Sequence, residues 1–370
     1  MCSDDRLTIH KVEIWPVDIP LTDPFVVATG ELGSAKNIFL RITLQGGSVG
    51  YGEIAPFPDV TGEDRASSFA KAKELAKAAL GQSGGRYRKL AKVFQEIAPS
   101  HPAARCGLET ALVDAVCRAG GLPLWSLWGG ADVRSRETDI TIPITDLDRT
   151  QTLVREWYGQ GFRMFKMKVG KDVDQDLRRL ESIQHSFSNV AFIVDSNQGF
   201  TREEALDFAK GVKRVGATIH LFEQPVPKND LDSLAALRAS LDIPIAADES
   251  VQTIEDLKAI IQHKAADFIN IKITKSGLLE GAEMASLARM SGLRLMIGGM
   301  VETRVAMGCS FSLVLGLGGF EVLDLDTPLL LAQDPVEGGY DYVGPQLHPW
   351  GSSGLAMEVT PSAECLILEH

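Results

Sequence analysis

The sequence predicts an α/β protein: a (β/α)8-type, TIM-like barrel preceded by an α+β capping domain. Two observations carry that prediction. After about residue 137, eight short apolar stretches alternate with amphipathic, helix-like ones: "DITIPI", "RMFKMKV", "AFIVDSN", "IHLFEQP", "IPIAADE", "DFINIKI", "LRLMIGG" and "FEVLDLD". The residues that close seven of them, Lys168, Asp195, Glu223, Asp248, Lys272, Gly298 and Asp324, recur every 24 to 28 positions. A strand–helix unit of near-constant length, repeated about eight times, is what a closed parallel barrel requires. An open doubly wound sheet would alternate likewise, but its glycine-rich turn after the first strand is missing.

Ahead of the barrel, "LTIHKVEIWPVDI" and "NIFLRITLQGG" alternate apolar and polar residues, and Gly46–Gly47 signals a hairpin. From about residue 64 the pattern turns helical, through "EDRASSFAKAKELAKAAL" and "PAARCGLETALVDAVCRAGG", which ends in a glycine pair suited to a C-cap. Strands followed by helices suggest an α+β unit. The expected organisation is a cap over residues 1–130, a barrel over 131–330 and a Gly/Pro-rich tail over 331–370 that returns to the cap.

Bulk properties narrow the function classes. The 370 residues are 45% hydrophobic and 23% charged, as in ordinary globular proteins, and the net charge is −12. Nucleic acid and anionic membranes both demand a basic surface, so neither is an expected partner. Five scattered cysteines (Cys2, Cys106, Cys117, Cys309, Cys365) form no CxxC pair and fit a reducing compartment. "MCSDDRLTIHKVEI" has no apolar signal region and no run of about 18 apolar residues exists, so a cytoplasmic location is expected.

The chemistry is concentrated where the barrel strands end, the catalytic face of this architecture. Asp195, Glu223 and Asp248 close three successive strands. Three converging carboxylates repel one another unless a counter-ion is present, and a hard divalent cation such as Mg²⁺ takes oxygen ligands of this kind. On either side stand lysines: Lys166 and Lys168, two apart and so on one strand face, and Lys272 one strand beyond the acidic trio. A lysine beside a cation and a second ammonium has its charged form disfavoured, which suits a general base. One such lysine on each side of the metal gives one on each face of a bound substrate. In "VLDLDTP", Asp324 and Asp326 fall on one strand face and suit an ammonium group.

Taken together, the K-x-K, D-x-N, E-Q-P, D-E-S and K-x-x-K-x-G stretches, in this order, resemble the enolase superfamily in its muconate-lactonizing subgroup. "GYGEIAPFPDVTGE" in the cap belongs to the same resemblance. It implies the modified barrel of that superfamily, with Asp195, Glu223 and Asp248 as Mg²⁺ ligands and Lys168 and Lys272 as the acid/base pair. Lys166 would support Lys168 and touch the substrate carboxylate. Lys272 is preferred to Lys275 because it lies in the strand, whereas Lys275 begins the following helix. The D-x-D pair resembles that of dipeptide epimerases, where it grips the free α-amino group. Thr141 and the backbone at Gly298 and Gly299 are implied substrate contacts, Glu302 has no assigned role, and a homo-oligomer is implied.

The expected reaction is Mg²⁺-dependent epimerisation of the C-terminal residue of an L,L-dipeptide to L,D. It proceeds by two-base 1,1-proton transfer through an enediolate. o-Succinylbenzoate synthase or muconate-type cycloisomerase activity would use the same metal and lysines, and a Schiff-base lyase is the alternative from another class. The segment "DPFVVATGELGSAK" lacks the arginine that relatives acting on L-Ala-L-Glu resemble one another in having. Lys36 is its only cation and Glu31 lies nearby. Hydrophobic or cationic dipeptides are therefore favoured over Ala-Glu.

Overall fold

The computed structural model describes residues 5–370, so Cys2 lies outside the described residues. The cap is built on an antiparallel sheet ordered Leu366–Glu369, Ile9–Val27, Gly30–Leu44, Val49–Ile54. Alternation decides what each face meets. Val12 and Ile14 join Ile38, Leu40 and Ile42 against the helices Arg65–Ala79, Tyr87–Ile97 and Pro102–Ala119, while Trp15 and Phe39 belong to the core shared with the barrel. Asp64 starts the first of these helices with a capping box to Ser67. The helix Pro102–Ala119 lies so near the sheet that a Cβ on Gly52 would stand 2.0 Å from the Gly107 carbonyl oxygen.

"DPFVVATGELGSAK" is the far end of a hairpin rather than a loop. Phe25 pairs with Leu32, Val26 with Glu31 and Val27 with Gly30. The register shifts between Pro20 and Phe25, where Pro20 and Pro24 offer no backbone donor. That irregularity interrupts the alternation by which a strand is read from sequence.

All eight apolar stretches form strands of one parallel sheet in sequence order: Ile140–Ile142, Met164–Lys168, Ala191–Asp195, Ile219–Glu223, Ile245–Ala247, Phe268–Ile271, Arg294–Ile297 and Phe320–Leu323. The ring is closed just before the first strand, where the Asp139 N–H donates to the Leu323 carbonyl of the eighth at 3.0 Å. Seven strands each give one side chain to an apolar layer: Met164, Ile193, Leu221, Ala246, Phe268, Met296 and Val322. Two residues further along each of these strands stand Lys166, Asp195, Glu223, Asp248, Asn270, Gly298 and Asp324. The polar layer thus rests on a packed apolar floor, as barrel interiors are built.

Glu53, from the "GYGE" stretch, fastens the cap to this mouth. It is buried and accepts from the Thr303 N–H at 3.0 Å, the Thr303 hydroxyl at 2.7 Å and the Ala306 N–H at 3.2 Å, at the N-terminus of helix Arg304–Leu317. Asn37 donates both to Glu53 and to the Val301 carbonyl. After the barrel, Tyr340–Val343 and Gln346–Pro349 form a hairpin that pairs with Arg136–Glu137. The last strand, Leu366–Glu369, then pairs antiparallel with the first, Lys11 opposite Glu369. Among the described residues no helix is long and apolar enough to cross a membrane.

Candidate active site

The strand ends are held in unusual backbone conformations. Asn197, Gln198 and Gln224 have φ of 41°, 70° and 35°, in the region that side-chain-bearing residues seldom adopt. The Gln224 side chain shows what keeps one of them there. Its Oε1 accepts from the Asp248 and Ser250 N–H groups, and its Nε2 donates to the Val226 carbonyl and the Ser250 hydroxyl. The glutamine of E-Q-P therefore clamps the D-E-S turn of the next strand and fixes where Asp248 points.

A cavity of about 50 Å³ opens at this end of the barrel. It is lined by Thr141, Lys166, Lys168, Asp248, Lys272, Gly299 and Asp324 of the residues singled out from sequence. Lys168 and Lys272 come from the second strand and from just after the sixth, four strands apart in a ring of eight. They therefore enter from opposite sides. Lys272 does not lie in the strand as the sequence suggested: strand Phe268–Ile271 ends one residue before it, and Lys272 occupies the N-cap position of the short helix Ile273–Ser276 without a side-chain capping bond. Lys275, inside that helix, is buried and donates to the Asp248 carbonyl and carboxylate and to the Asn270 carbonyl. It is not among the residues lining the cavity.

Asp195 and Glu223 lie behind this lining, fully buried. Lys166 Nζ stands 3.1 Å from Asp195 Oδ2, 2.9 Å from Glu223 Oε2 and 2.6 Å from Asp324 Oδ2. Lys168 Nζ is 2.6 Å from Asp195 Oδ2, and Lys272 Nζ is 2.7 Å from Asp248 Oδ2. Burial opposes ionisation of Asp195, but Lys168, Lys166 and Lys272 hold its carboxyl down to about 2. Asp248 is likewise lowered against burial by Lys272 and Lys275. Glu223 goes the other way, pushed up to about 7 by burial and the Asp195 charge. Burial opposes the charged form of Lys166 too, yet Asp324, Glu223 and Asp195 hold it firmly protonated.

The donor set fits a hard cation. Glu223 Oε1 accepts from Asn270 Nδ2 at 2.8 Å, but Glu223 Oε2 is buried and lacks a hydrogen bond, since the nearby Lys166 ammonium lies out of line. Glu249 Oε2, in the cavity wall, is also buried and unpartnered. Oxygens left without donors between three strand-end carboxylates are what Mg²⁺ coordinates. In this structure the balancing charges are lysines. Among the described residues the acidic group whose oxygens lie within 4.8 Å of one another is Asp139, Asp324 and Asp326, not Asp195, Glu223 and Asp248; the Lys166 ammonium contacts both Asp195 and Glu223, and Lys272 and Lys275 hold Asp248.

Two further placements differ from the sequence expectation. Asp326 does not share the mouth with Asp324: it is fully buried, and its Oδ2 accepts the Thr141 N–H at 2.6 Å. The strand has ended at Leu323 and Asp326 has αR backbone (φ −94°, ψ −14°) ahead of helix Thr327–Leu330, so the i, i+2 rule for one face no longer applies. Gly298 lies outside the lining, and a Cβ there would stand 2.8 Å from Asn270 Oδ1. Its lack of a side chain serves close packing beneath the site.

Sequence reasoning missed the walls. Phe25 and Val27 from the hairpin tip, Phe57 and Val60 from the "GEIAPFPDV" stretch, and Met300, Val301 and Thr327 complete the lining, as do Asn197 and Glu249. Phe57, Met300 and Val301 also wall an adjoining cavity of about 220 Å³, and Lys36 is found there instead of beside the catalytic-face lysines.

Glu302 is buried, its Oε2 has no partner, and burial with the Glu53 charge pushes its carboxyl up to about 8. Between the unfolded carboxylate range and pH 8 the folded chain binds the extra proton, so stability falls as pH rises through that window. Glu302→Gln is expected to match wild type in thermal unfolding at pH 5 and to exceed it at pH 8.5. At about 1.4 kcal/mol per unit, the ceiling is about 5 kcal/mol. Equal melting curves at pH 8.5 would count against an ionised, unpartnered carboxylate there.

Comparison with known proteins agrees with this architecture. Residues 9–129 match the mandelate racemase/muconate lactonizing enzyme N-terminal domain, and residues 149–363 match the enolase C-terminal domain-like family. The chain belongs to the mandelate racemase/muconate lactonizing enzyme family of the enolase superfamily. Within this family it is 41% identical over 342 residues to an L-Ala-D/L-amino acid epimerase of Populus trichocarpa, covering 91% of this chain and 81% of that one. It is 38% identical over 338 residues to an aromatic dipeptide epimerase of Herpetosiphon aurantiacus, covering 91% and 95%. A dipeptide epimerase from Cytophaga hutchinsonii, solved with Mg and the dipeptide D-Ala-L-Val, superposes with a TM-score of 0.92 at 27% identity, covering 97% and 99%. Like these family members, the chain is an enzyme.

Proposed function

We propose that this enzyme is a Mg²⁺-dependent dipeptide epimerase, inverting the α-carbon of the C-terminal residue of an L,L-dipeptide to give the L,D product. The observation that carries the reading is the entry of Lys168 and Lys272 into one cavity from opposite sides of the barrel, with the strand-end carboxylates between them. The names of the relatives support it.

Asp195, Glu223 and Asp248 are the residues that would hold the cation. Bound there, Mg²⁺ supplies the Lewis acidity that makes a carboxylate's α-proton removable. The rest is done by side chains. Lys166 draws the substrate carboxylate to the third and fourth strand ends. One of Lys168 and Lys272 takes the α-proton from its own side, leaving an enediolate. The other, as an ammonium, returns a proton to the opposite face. Asp324 accepts from the α-ammonium, and the cap residues Phe25, Val27, Phe57 and Val60 exclude water from above.

Those cap residues, with Met300 and Val301, also indicate the substrate. The wall over the lysines is apolar, so hydrophobic side chains are favoured over glutamate. Phe57, Met300 and Val301 are shared between this cavity of about 50 Å³ and the adjoining one of about 220 Å³, so the substrate's side chains have the second space to extend toward. The test is a dipeptide library incubated in D₂O with Mg²⁺ and read by mass spectrometry. One deuterium is expected on dipeptides with a free amine and an apolar C-terminal residue. Label confined to N-acylated amino acids, or turnover without α-exchange, would refute the reading.

A further inference from the structure

Glu249 has no part in the chemistry above, and its placement opposes stability. It follows Asp248 after the fifth strand, and Gln224 clamps the N–H groups on either side of it, those of Asp248 and Ser250. The side chain is buried in the cavity wall, where Oε1 accepts from Asn197 Nδ2 at 3.3 Å and Oε2 has no partner. A buried carboxylate with one hydrogen bond is destabilising. The reason for it lies in what that one bond reaches.

Asn197, just beyond the third strand, also faces Lys168. Its Oδ1 accepts from Lys168 Nζ at 3.2 Å, so a single amide spans the gap between Glu249 and that lysine. Its backbone is fixed as well, at φ 41° with the N–H on Asp195 Oδ1 at 3.0 Å. An ionised carboxylate only accepts and an ammonium only donates, so just one of the two amide orientations satisfies both neighbours. That orientation matters to Lys168. Nζ is tetrahedral: Cε takes one direction, and Asp195 Oδ2 at 2.6 Å and Asn197 Oδ1 take two more. The fourth is left for the lone pair of the base or the proton of the acid. With the amide turned over, its NH₂ would face the amine and compete for that lone pair.

We propose that Glu249 is a positioning residue: by holding the Asn197 amide with its carbonyl oxygen toward Lys168, it aims the lone pair of that base. The inference rests on the two-base epimerase reading and deepens it. The opposite lysine is held differently, Lys272 Nζ standing 2.7 Å from Asp248 Oδ2. Glu249 therefore serves one face of the substrate, and its loss is felt in one half of the reaction.

The experiment removes the acceptor and reads each half by itself. In Lys272→Ala only Lys168 can exchange an α-hydrogen with solvent, and in Lys168→Ala only Lys272 can. Glu249→Leu is added to each. Exchange of a free-amine dipeptide with an apolar C-terminal residue is then followed by proton NMR in D₂O at saturating Mg²⁺. Glu249→Leu is expected to slow the Lys168 half by about tenfold or more and to move the Lys272 half by less than about threefold. Glu249→Gln, which keeps an acceptor oxygen for Asn197, should recover most of the loss. With Asn197→Ala already present, Glu249→Leu should slow the Lys168 half no further. Should Glu249→Leu not fold, Glu249→Ala and Asn197→Ala replace it, and each must slow the Lys168 half alone. Equal slowing of both halves, slowing of neither, no recovery in Glu249→Gln, or an added loss beside Asn197→Ala overturns the role. So does Mg²⁺ binding weakened about tenfold or more in Glu249→Leu, read by calorimetry, which would make Glu249 a residue of the metal site. If wild-type protein exchanges no dipeptide α-hydrogen, the underlying reading fails; if it does and the two halves respond alike, only the role of Glu249 fails.

Discussion

Lys168→Ala and Lys272→Ala should each abolish epimerisation while leaving opposite halves of the chemistry running. The two lysines are four strands apart in the ring, and both line the cavity. With either removed, an epimer whose α-hydrogen faces the surviving amine can still lose it, and that amine can return only to the face it took from. Each variant is expected to exchange the α-hydrogen of one epimer with solvent, without inversion, and to leave the other untouched. Net inversion should fall by about 10²–10⁴-fold, the usual contribution of a positioned acid or base. Proton NMR of L,L- and L,D-dipeptides incubated separately in D₂O reads both quantities. Inversion persisting in Lys272→Ala, or both variants exchanging the same epimer, would mean that one base serves both faces.

Chelation gives the second large effect. Treatment with EDTA should lower activity by about 10³-fold or more, several kcal/mol of lost transition-state stabilisation, with recovery on adding Mg²⁺. The fold should survive it, because Lys166 and Lys168 already neutralise Asp195 and Lys272 and Lys275 neutralise Asp248. Mg²⁺ should then raise the melting temperature, with stabilisation of about 2.7 kcal/mol at a hundred times its dissociation constant. Activity that resists exhaustive chelation, or unfolding in its presence, contradicts the assignment of Asp195, Glu223 and Asp248.

Much of this was readable from sequence because barrel strands impose two strict periods. Side-chain alternation put Lys166 and Lys168 on one face, and the 24- to 28-residue spacing put their partners at one level of the ring. Alternation stopped being a guide where strands stopped. Asp326 lies three residues past the eighth strand, and the chain has already turned. The walls were out of reach for another reason. Phe25, Val27, Phe57 and Val60 reach the site only through docking of the cap, which depends on Glu53 meeting a helix some 250 residues away.

The pairing of Leu366–Glu369 with Ile9–Val27 has a practical consequence. Trimming the final five residues would bare the main-chain groups of Lys11 to Ile14 as a raw sheet margin, an invitation to self-association. Loss of that strand should therefore be felt as precipitation before it is felt at the catalytic mouth.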